Sequence, residues 1–368
     1  MRNIVFLMTA CKKSGPVQQM LSIIKHLDRK EFNPYLVTLY DEATDGSSQL
    51  QKYIAQGVKH IFVPLSKKKI LLGQTENLKN VLDELKPDAI HSLGVFPDFA
   101  LSRLHYPKHL TTLRNYVYED YIAKFGKVKG LILAKLHLYA AKRADKVLVC
   151  SRSLASKYKE KLHLDFPFIQ NGVELDKYHN VTEEEKKKLR KKLNILQDSV
   201  IFTYSGQFID RKDQQFLISV FSQKAFQRFT LILLGDGPNY NSLNQTLTSN
   251  IIMPGAVNNV NEFLQASDVY ISSSKSEGLP NGVLEAMASG LPVVLSDIEQ
   301  HKELFDSGMN IGLMYKLGDK TDCERAILQM ISMNLTDVGN VSSDCAREKF
   351  SASRMSLAYQ KEYLSLSN

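Results

Sequence analysis

Short apolar runs recur along the whole chain, most of them followed by a longer segment of helical periodicity, and few folds satisfy that alternation. In the first half the runs lie at 4–8, 35–39, 60–63, 89–93, 111–114 and 146–150, with periodic stretches at 17–27 and 78–85 between them. In the second half they lie at 200–205, 230–234, 251–253, 269–272 and 292–295. Such runs read as strands buried on both faces, and strands alternating with helices specify a parallel sheet covered on each side. The rhythm breaks at F-P-F-I-Q-N-G-V-E-L-D-K-Y (166–178), where Asn171-Gly172 is a turn signal. A charged helix follows at 183–193, E-E-E-K-K-K-L-R-K-K-L, its acidic start and basic end matched to the helix dipole. At 368 residues the chain exceeds one ordinary core. The expected architecture is α/β, with two doubly wound, Rossmann-like parallel-sheet domains facing a central cleft. The first is expected over 1–170 and the second over 171–345, with a C-terminal helix in 346–368 packing back toward the first. Open sheets of this kind bind ligands beyond the carboxyl ends of their strands, so function is sought in the loops there.

Composition narrows the class. With 43% hydrophobic and 23% charged residues, the chain reads as a soluble globular protein. Cys11, Cys150, Cys323 and Cys345 form no C-x-x-C pair, which points to reduced thiols and a cytoplasmic setting. No run approaches the ~18–20 apolar residues of a membrane span. The apolar start at 4–8 is short and is followed by Cys11-Lys12-Lys13, so it reads as a first strand rather than a signal peptide. Charge is uneven: 28 Lys and Arg against 17 Asp and Glu give +11 over 1–180, while the remainder carries −3. Within 121–161 the balance is +9, and K-F-G-K-V-K-G-L-I-L-A-K-L-H-L-Y-A-A-K-R mixes cations with Leu, Ile and Tyr. Either an anionic membrane surface or a core-packing helix with a solvated lysine face accounts for that stretch. Nucleic acid does not, because the aromatic residues are not interleaved with the basic ones as a stacking platform requires.

Four strand-end loops in the second half carry the chemistry. In S-E-G-L-P-N-G-V-L-E-A-M-A-S-G (276–290), Glu277 and Glu285 flank a turn holding Gly278, Leu279, Pro280, Asn281 and Gly282. A helix over 282–289 with Asn281 as N-cap would offer an anion site at its start, while the carboxylates accept from sugar hydroxyls. A diphosphate between two sugars would use both kinds of group. The bland alternative is that Glu285, in the first turn, merely favours the helix start and Glu277 is solvated. In G-Q-F-I-D-R-K-D (206–213), Gly206 and Gln207 end a strand and Arg211 and Lys212 follow, either as diphosphate ligands or as a solvated pair. The loop L-G-D-G-P (234–238) could be an ordinary turn, and M-P-G-A-V-N-N-V (253–260), with Val257, offers backbone groups to a planar base. In the first half, Lys13-Ser14-Gly15-Pro16 joins the first strand to the first helix. Neither G-x-G-x-x-G, G-x-x-x-x-G-K-[ST], Asp-x-Asp nor a metal-ligand spacing occurs, so the diphosphate is expected to be held by cations and helix N-termini without a metal.

These motifs, in this order, resemble the retaining glycosyltransferases of family 4, of the two-domain GT-B type, and most closely their bacterial polysaccharide branch. N-G-V-E (171–174), G-Q-F-I-D-R-K-D, L-G-D-G-P, A-S-D-V-Y-I-S-S-S (266–274) and S-E-G-L-P-N-G-V-L-E-A-M-A-S-G stand in register. The resemblance implies transfer of a hexose or N-acetylhexosamine from a nucleotide-diphosphate sugar to a lipid-linked glycan, at the inner face of the cytoplasmic membrane. It implies that Glu277 contacts the donor sugar, Glu285 holds the ribose, 278–282 and Lys212 meet the diphosphate, and Gly15 closes on it from the first domain. No cofactor is expected, and a UDP-sugar is favoured over a GDP-sugar. Two positions depart from the family pattern. Gln207 stands where many members have arginine, a charge Arg211 would have to supply. Arg114 and Asn115 end the strand where many have histidine, so they contact donor or acceptor, or Arg114 is a structural ion-pair partner. His91 reads as structural. A sugar-nucleotide epimerase of the same fold and a non-catalytic basic binding protein are the competing expectations.

Overall fold

The computed structural model describes residues 1–245 and 247–367, which form two compact units: Met1–Gly172 together with the residues from Ala352 on, and Val173–Ser351. In the first unit the strands are β1 (Arg2–Met8), β2 (Phe32–Thr38), β3 (Lys59–Phe62), β4 (Ala89–Leu93), β5 (His109–Leu113) and β6 (Lys146–Val149). They form one sheet in the order β3-β2-β1-β4-β5-β6 with parallel pairing throughout. All five residues of β5 are buried, as is the run from Ile4 to Met8 in β1, the signature of strands covered on both faces. β2 starts at Phe32, ahead of the apolar run, because Asn33 and Pro34 carry no strand signal although Pro34 pairs in register with Ile4.

The second unit repeats the design with β7 (Ile201–Ser205), β8 (Thr230–Leu234), β9 (Ile251–Gly255), β10 (Val269–Ser272), β11 (Val293–Ser296) and β12 (Gly312–Tyr315), ordered β12-β11-β10-β7-β8-β9. β12 has no counterpart among the apolar runs of the sequence. It is four residues long, its middle two half-buried, and its Gly312 sits at φ 155° against Val293 of β11. The charged helix Glu183–Lys192 is opened by a capping box, in which Thr182 Oγ1 accepts from the Glu185 N–H and the Glu185 carboxylate accepts from the Thr182 N–H.

The unit boundaries differ from the sequence reading. The chain passes over after Gly172, not 170, and returns at Ala352, not 346. Gly172 belongs to the first unit because Gln19 brackets it, Nε2 donating to its carbonyl at 2.8 Å and Oε1 accepting from its N–H at 2.9 Å. Val173 belongs to the second, where its N–H donates to the Phe350 carbonyl at 2.8 Å and it bridges to Ser351. The helix Leu335–Phe350 stays with the second unit, its Gly339 pressed on the Gly290 backbone. Only the helix Ala352–Ser367 rejoins the first, where Met355, Tyr359 and Tyr363 enter the core beside Phe6, Phe32 and Leu36. His91 is fully buried there, between the Tyr363 hydroxyl at 2.8 Å and Thr112 Oγ1 at 3.0 Å.

The basic stretch after 120 is divided. Gly126, at φ 79°, separates the helix Val117–Phe125 from the helix Lys127–Ala141. The second buries a stripe of small residues and one histidine, Gly130, Ala134, His137 and Ala141. Val128, Ile132 and Tyr139 remain exposed, at 75%, 62% and 55%. The helix also packs inward, with Ala140 in a core cluster, Leu136 against it, and Leu133 and Leu138 half-buried, so it is a core-packing helix whose outer face carries apolar groups as well as lysines. Among the described residues, no helix is long and apolar enough to cross a membrane.

Candidate active site

β7 delivers the chain to Gly206 and then to a single 3₁₀ turn, Asp210–Lys212. Gly206 donates its N–H to the Leu234 carbonyl at 2.9 Å, and a Cβ on Gly235, at φ 135°, would collide with the Gly206 carbonyl. The glycines of L-G-D-G-P thus let two strand-end loops touch backbone to backbone. Gln207 is exposed, and its carbonyl accepts from Gln214 Nε2 at 2.7 Å.

The loop after β10 is stitched to that turn. Ser273 Oγ donates to the carbonyls of Lys212 and Asp213 at 3.1 and 2.8 Å, and the Lys275 N–H to the Arg211 carbonyl at 2.7 Å. Arg211 Nη1 returns to the Ser276 carbonyl at 2.9 Å. This scaffold sets the Glu277 carboxylate, 7% exposed, between two cations: Oε1 pairs with Lys212 Nζ, and Oε2 with Arg211 Nη1 at 3.2 Å. Burial acts to raise the Glu277 carboxyl, but the charges of Lys212 and Arg211 outweigh it and hold the group at about 2. Glu277 is therefore ionised and paired rather than solvated, and Arg211 and Lys212 are not a free surface pair.

The helix carrying Glu285 begins at Asn281 and runs to Ala288, with Pro280 as its cap at φ −77° and ψ 98° and no side-chain cap bond. Asn281 is accordingly the first helical residue rather than the cap, and Glu285 falls in the second turn. There it meets Lys177 and the Tyr178 hydroxyl, which donates to it. Burial pushes the Glu285 carboxyl up to about 7 against the Lys177 charge and that hydrogen bond. Gly278, Leu279 and Pro280 are buried. A Cβ on Gly282 would stand 2.8 Å from Ser205 Oγ and 2.7 Å from the Tyr270 hydroxyl, so this glycine seats the helix start on the end of β7. Burial raises the Tyr270 hydroxyl against its hydrogen bonds with Ser205, and the charges of Glu277 and Glu285 both add to the rise. One unit thus collects an ionised acid with two cations, a second acid poised near neutrality, and a helix start suited to an anion.

Comparison with known proteins adds an independent line. A model of Glycosyltransferase Family 4 matches residues 14–177, and a model of glycosyl transferases group 1 matches 199–333. The chain is a family 4 glycosyltransferase of the GT-B type. It is 26% identical over 314 residues to the O-antigen biosynthesis glycosyltransferase WclY of Escherichia coli, spanning 83% of this chain and 82% of that one. It is 23% identical over 320 residues to the UDP-Gal:alpha-D-GlcNAc-diphosphoundecaprenol alpha-1,3-galactosyltransferase of Escherichia coli, with 81% of each chain covered. Among solved structures, Anabaena HepE in complex with UDP-glucose superposes with a TM-score of 0.81 at 18% identity, over 99% of this chain and 100% of that one. Sucrose-phosphate synthase from Thermosynechococcus elongatus gives the same score at 16% identity, over 100% and 99%.

Not every residue singled out in this glycosyltransferase's sequence lies in that group. Val257 follows β9 and packs its side chain on the cluster around Ile195 and Ile201. Gly15, Arg114 and Asn115 belong to the other unit. Gly15 opens the helix Gly15–Lys25, capped by Ser14. Asn115 Nδ2 reaches Asp120 at 3.3 Å, and Arg114 Nη1 donates to Asn171 Oδ1 at 2.8 Å. The sequence reading passed over Tyr178 and His301. Tyr178 stands at the end of the N-G-V-E-L-D-K-Y run. His301 is fully buried, with Nδ1 on the Ser296 carbonyl at 2.8 Å, and Ser296 Oγ donates to the Ser274 carbonyl at 2.7 Å, which ties the helix Glu299–Phe305 to the Glu277 loop. Its signal was a histidine on the inner side of the helix after β11.

Proposed function

We propose that the protein transfers a hexose or N-acetylhexosamine from a UDP-sugar to a lipid-linked glycan, with retention of configuration, in building a bacterial surface polysaccharide. The observation that carries this reading is Glu277, buried between Lys212 and Arg211 and followed eight residues later by Glu285 against Tyr178. In this scheme Lys212 and Arg211 neutralise the diphosphate as it departs, and Glu277 is freed to accept from the transferred sugar's hydroxyls. Glu285 accepts from the ribose. The departing phosphate oxygen takes the proton of the acceptor hydroxyl, which attacks from the face the phosphate leaves. The names of two relatives, an O-antigen glycosyltransferase and a UDP-Gal-dependent enzyme acting on a diphosphoundecaprenol-linked sugar, support the donor and acceptor classes. The test is turnover of UDP-hexoses and UDP-N-acetylhexosamines with a polyprenyl-diphosphate sugar, the anomeric outcome read by NMR. UDP release with an inverted product would reject retention, and no release across the panel would reject the reading.

The same reading places the enzyme at the cytoplasmic face of the membrane, where such acceptors are presented. Exposed Val128, Ile132, Tyr139 and Phe125 lie among Lys124, Lys127, Lys129 and Lys135, a combination that suits an anionic interface. Replacing the four lysines by glutamine should abolish co-sedimentation with phosphatidylglycerol vesicles, and added salt should weaken the wild type in the same direction. Vesicle binding unchanged by the substitutions would move the contact elsewhere.

A further inference from the structure

The strongest unexplained feature outside the Glu277 site is a buried positive charge. Arg114 follows β5 at its carboxyl end, where open sheets of this type meet ligands. Among the described residues Nη1 of its guanidinium donates to Asn171, while Nε and Nη2 are shut from solvent and reach no acceptor at full hydrogen-bond distance, the Tyr359 hydroxyl being near enough only for a weak contact with the guanidinium. Among the described residues no carboxylate pairs with it, so the structural ion pair allowed by the sequence does not form. Its charge is felt by Tyr53, His91, Tyr359 and Tyr363, none of them an anion. Tyr53 donates to the Val17 carbonyl at 2.6 Å, and His91 lies between Tyr363 and Thr112. Two carboxylates that act on the same groups, Asp98 on His91 and Glu42 on Tyr53, are committed elsewhere. Asp98 is enclosed by Ser92, Thr111 and His137, and Glu42 accepts from the Cys11 N–H and from Ser48.

A guanidinium withdrawn from water with two donors unmatched is costly to keep, and stability does not explain it. The residue retains some exposed surface, so the position is not sealed. The donors left over are adjacent members of a planar fork, which matches two oxygens of a phosphate better than a single hydroxyl. We infer that Arg114 is an anion-binding residue of the first unit and recognises a phosphate group of a substrate. Asn171 positions the fork by holding Nη1. The inference rests on the glycosyltransferase reading for its two sources of phosphate, the lipid-linked acceptor and the nucleotide donor, and it is separable from the assignment of Lys212 and Glu277.

Calorimetry on the full chain decides it. UDP is titrated first, and inorganic pyrophosphate is then titrated into UDP-saturated protein, for the wild type, R114K and R114Q, with thermal unfolding of each. R114Q should unfold at or above the wild-type temperature, because it removes a cation that no carboxylate among the described residues pairs with. It should also lose anion affinity by about tenfold to hundredfold, the range for a charged hydrogen bond, with R114K in between. Loss confined to the pyrophosphate event assigns Arg114 to the acceptor's phosphate, and loss in UDP binding assigns it to the donor's diphosphate. Both affinities unchanged in R114Q would overturn the inference, as would a lowered unfolding temperature with wild-type anion binding. Wild-type protein that ignores UDP would defeat the donor reading, and the pyrophosphate titration would still judge Arg114.

Discussion

Glu285 and Glu277 belong to one motif yet are held in opposite regimes, about 7 and about 2, because burial prevails at the first over Lys177 and the Tyr178 hydroxyl, while two cations prevail over burial at the second. That contrast gives a pH signature. If the ribose hydroxyls bind the ionised Glu285, the proton must leave on binding at any pH below its own value. UDP affinity should then rise by up to about tenfold per pH unit as pH climbs toward 7 and level off above it. The E285Q variant should bind more weakly and without that slope, and a flat wild-type profile in calorimetry between about pH 5.5 and 8 would remove Glu285 from the ribose. For Glu277 the consequence is one of stability as well as chemistry. Breaking a buried ion pair from one side costs about 3–5 kcal/mol. Arg211 remains in K212M, so denaturant titration should show the lower end of that range. The double variant K212M/E277Q should recover most of that stability and none of the turnover. Recovery of turnover would mean that neither side chain touches the diphosphate or the sugar.

The elements that present these side chains were legible to different degrees, for physical reasons. β4, β8 and β10 have the bounds of their apolar runs, because a strand buried on both faces must be apolar along its length. β12 escaped because an edge strand buries less and is freer in composition. Lys212 and Glu277 were nameable only through the order of motifs, since 65 residues separate them and no local pattern shows that they meet. The start of the Asn281–Ala288 helix was misread by one residue, because an asparagine before a glycine is a good cap signal and the extended Pro280 took the role instead. That start also gives Gly282 a packing duty beyond its expected approach to a phosphate. G282A should force the helix away from Ser205 and Tyr270 and cost about 1–3 kcal/mol as overpacking does. UDP affinity should fall with it, while an Ala at exposed Gly46, where a Cβ meets nothing within 4 Å and the φ of +80° strains only its own turn, leaves binding unchanged. Equal UDP affinity in G282A and wild type would detach the helix start from the nucleotide.

At the scale of the molecule, chain order and fold order part company. The second unit is one continuous stretch, Val173–Ser351, with its own sheet, its ends fastened by the Val173–Ser351 bridge. The first unit is interrupted and depends on the last helix. Tyr359 and Tyr363 are fully buried, with the Tyr363 ring 6.1 Å from that of Phe6 and 6.3 Å from that of Phe32. Losing a buried aromatic costs about 3–5 kcal/mol, and a domain's whole stability is about 5–15 kcal/mol, so losing two with Met355 leaves little. Residues 173–351 expressed alone should unfold cooperatively and bind UDP, because the Glu277 and Glu285 groups lie wholly within them. Residues 1–172 alone should show no cooperative transition by circular dichroism, and a peptide of residues 352–367 added in trans should restore one. Cooperative unfolding of 1–172 without the peptide would make the last helix a dispensable strap, and the tyrosine pair would then be packing on a core that was already complete.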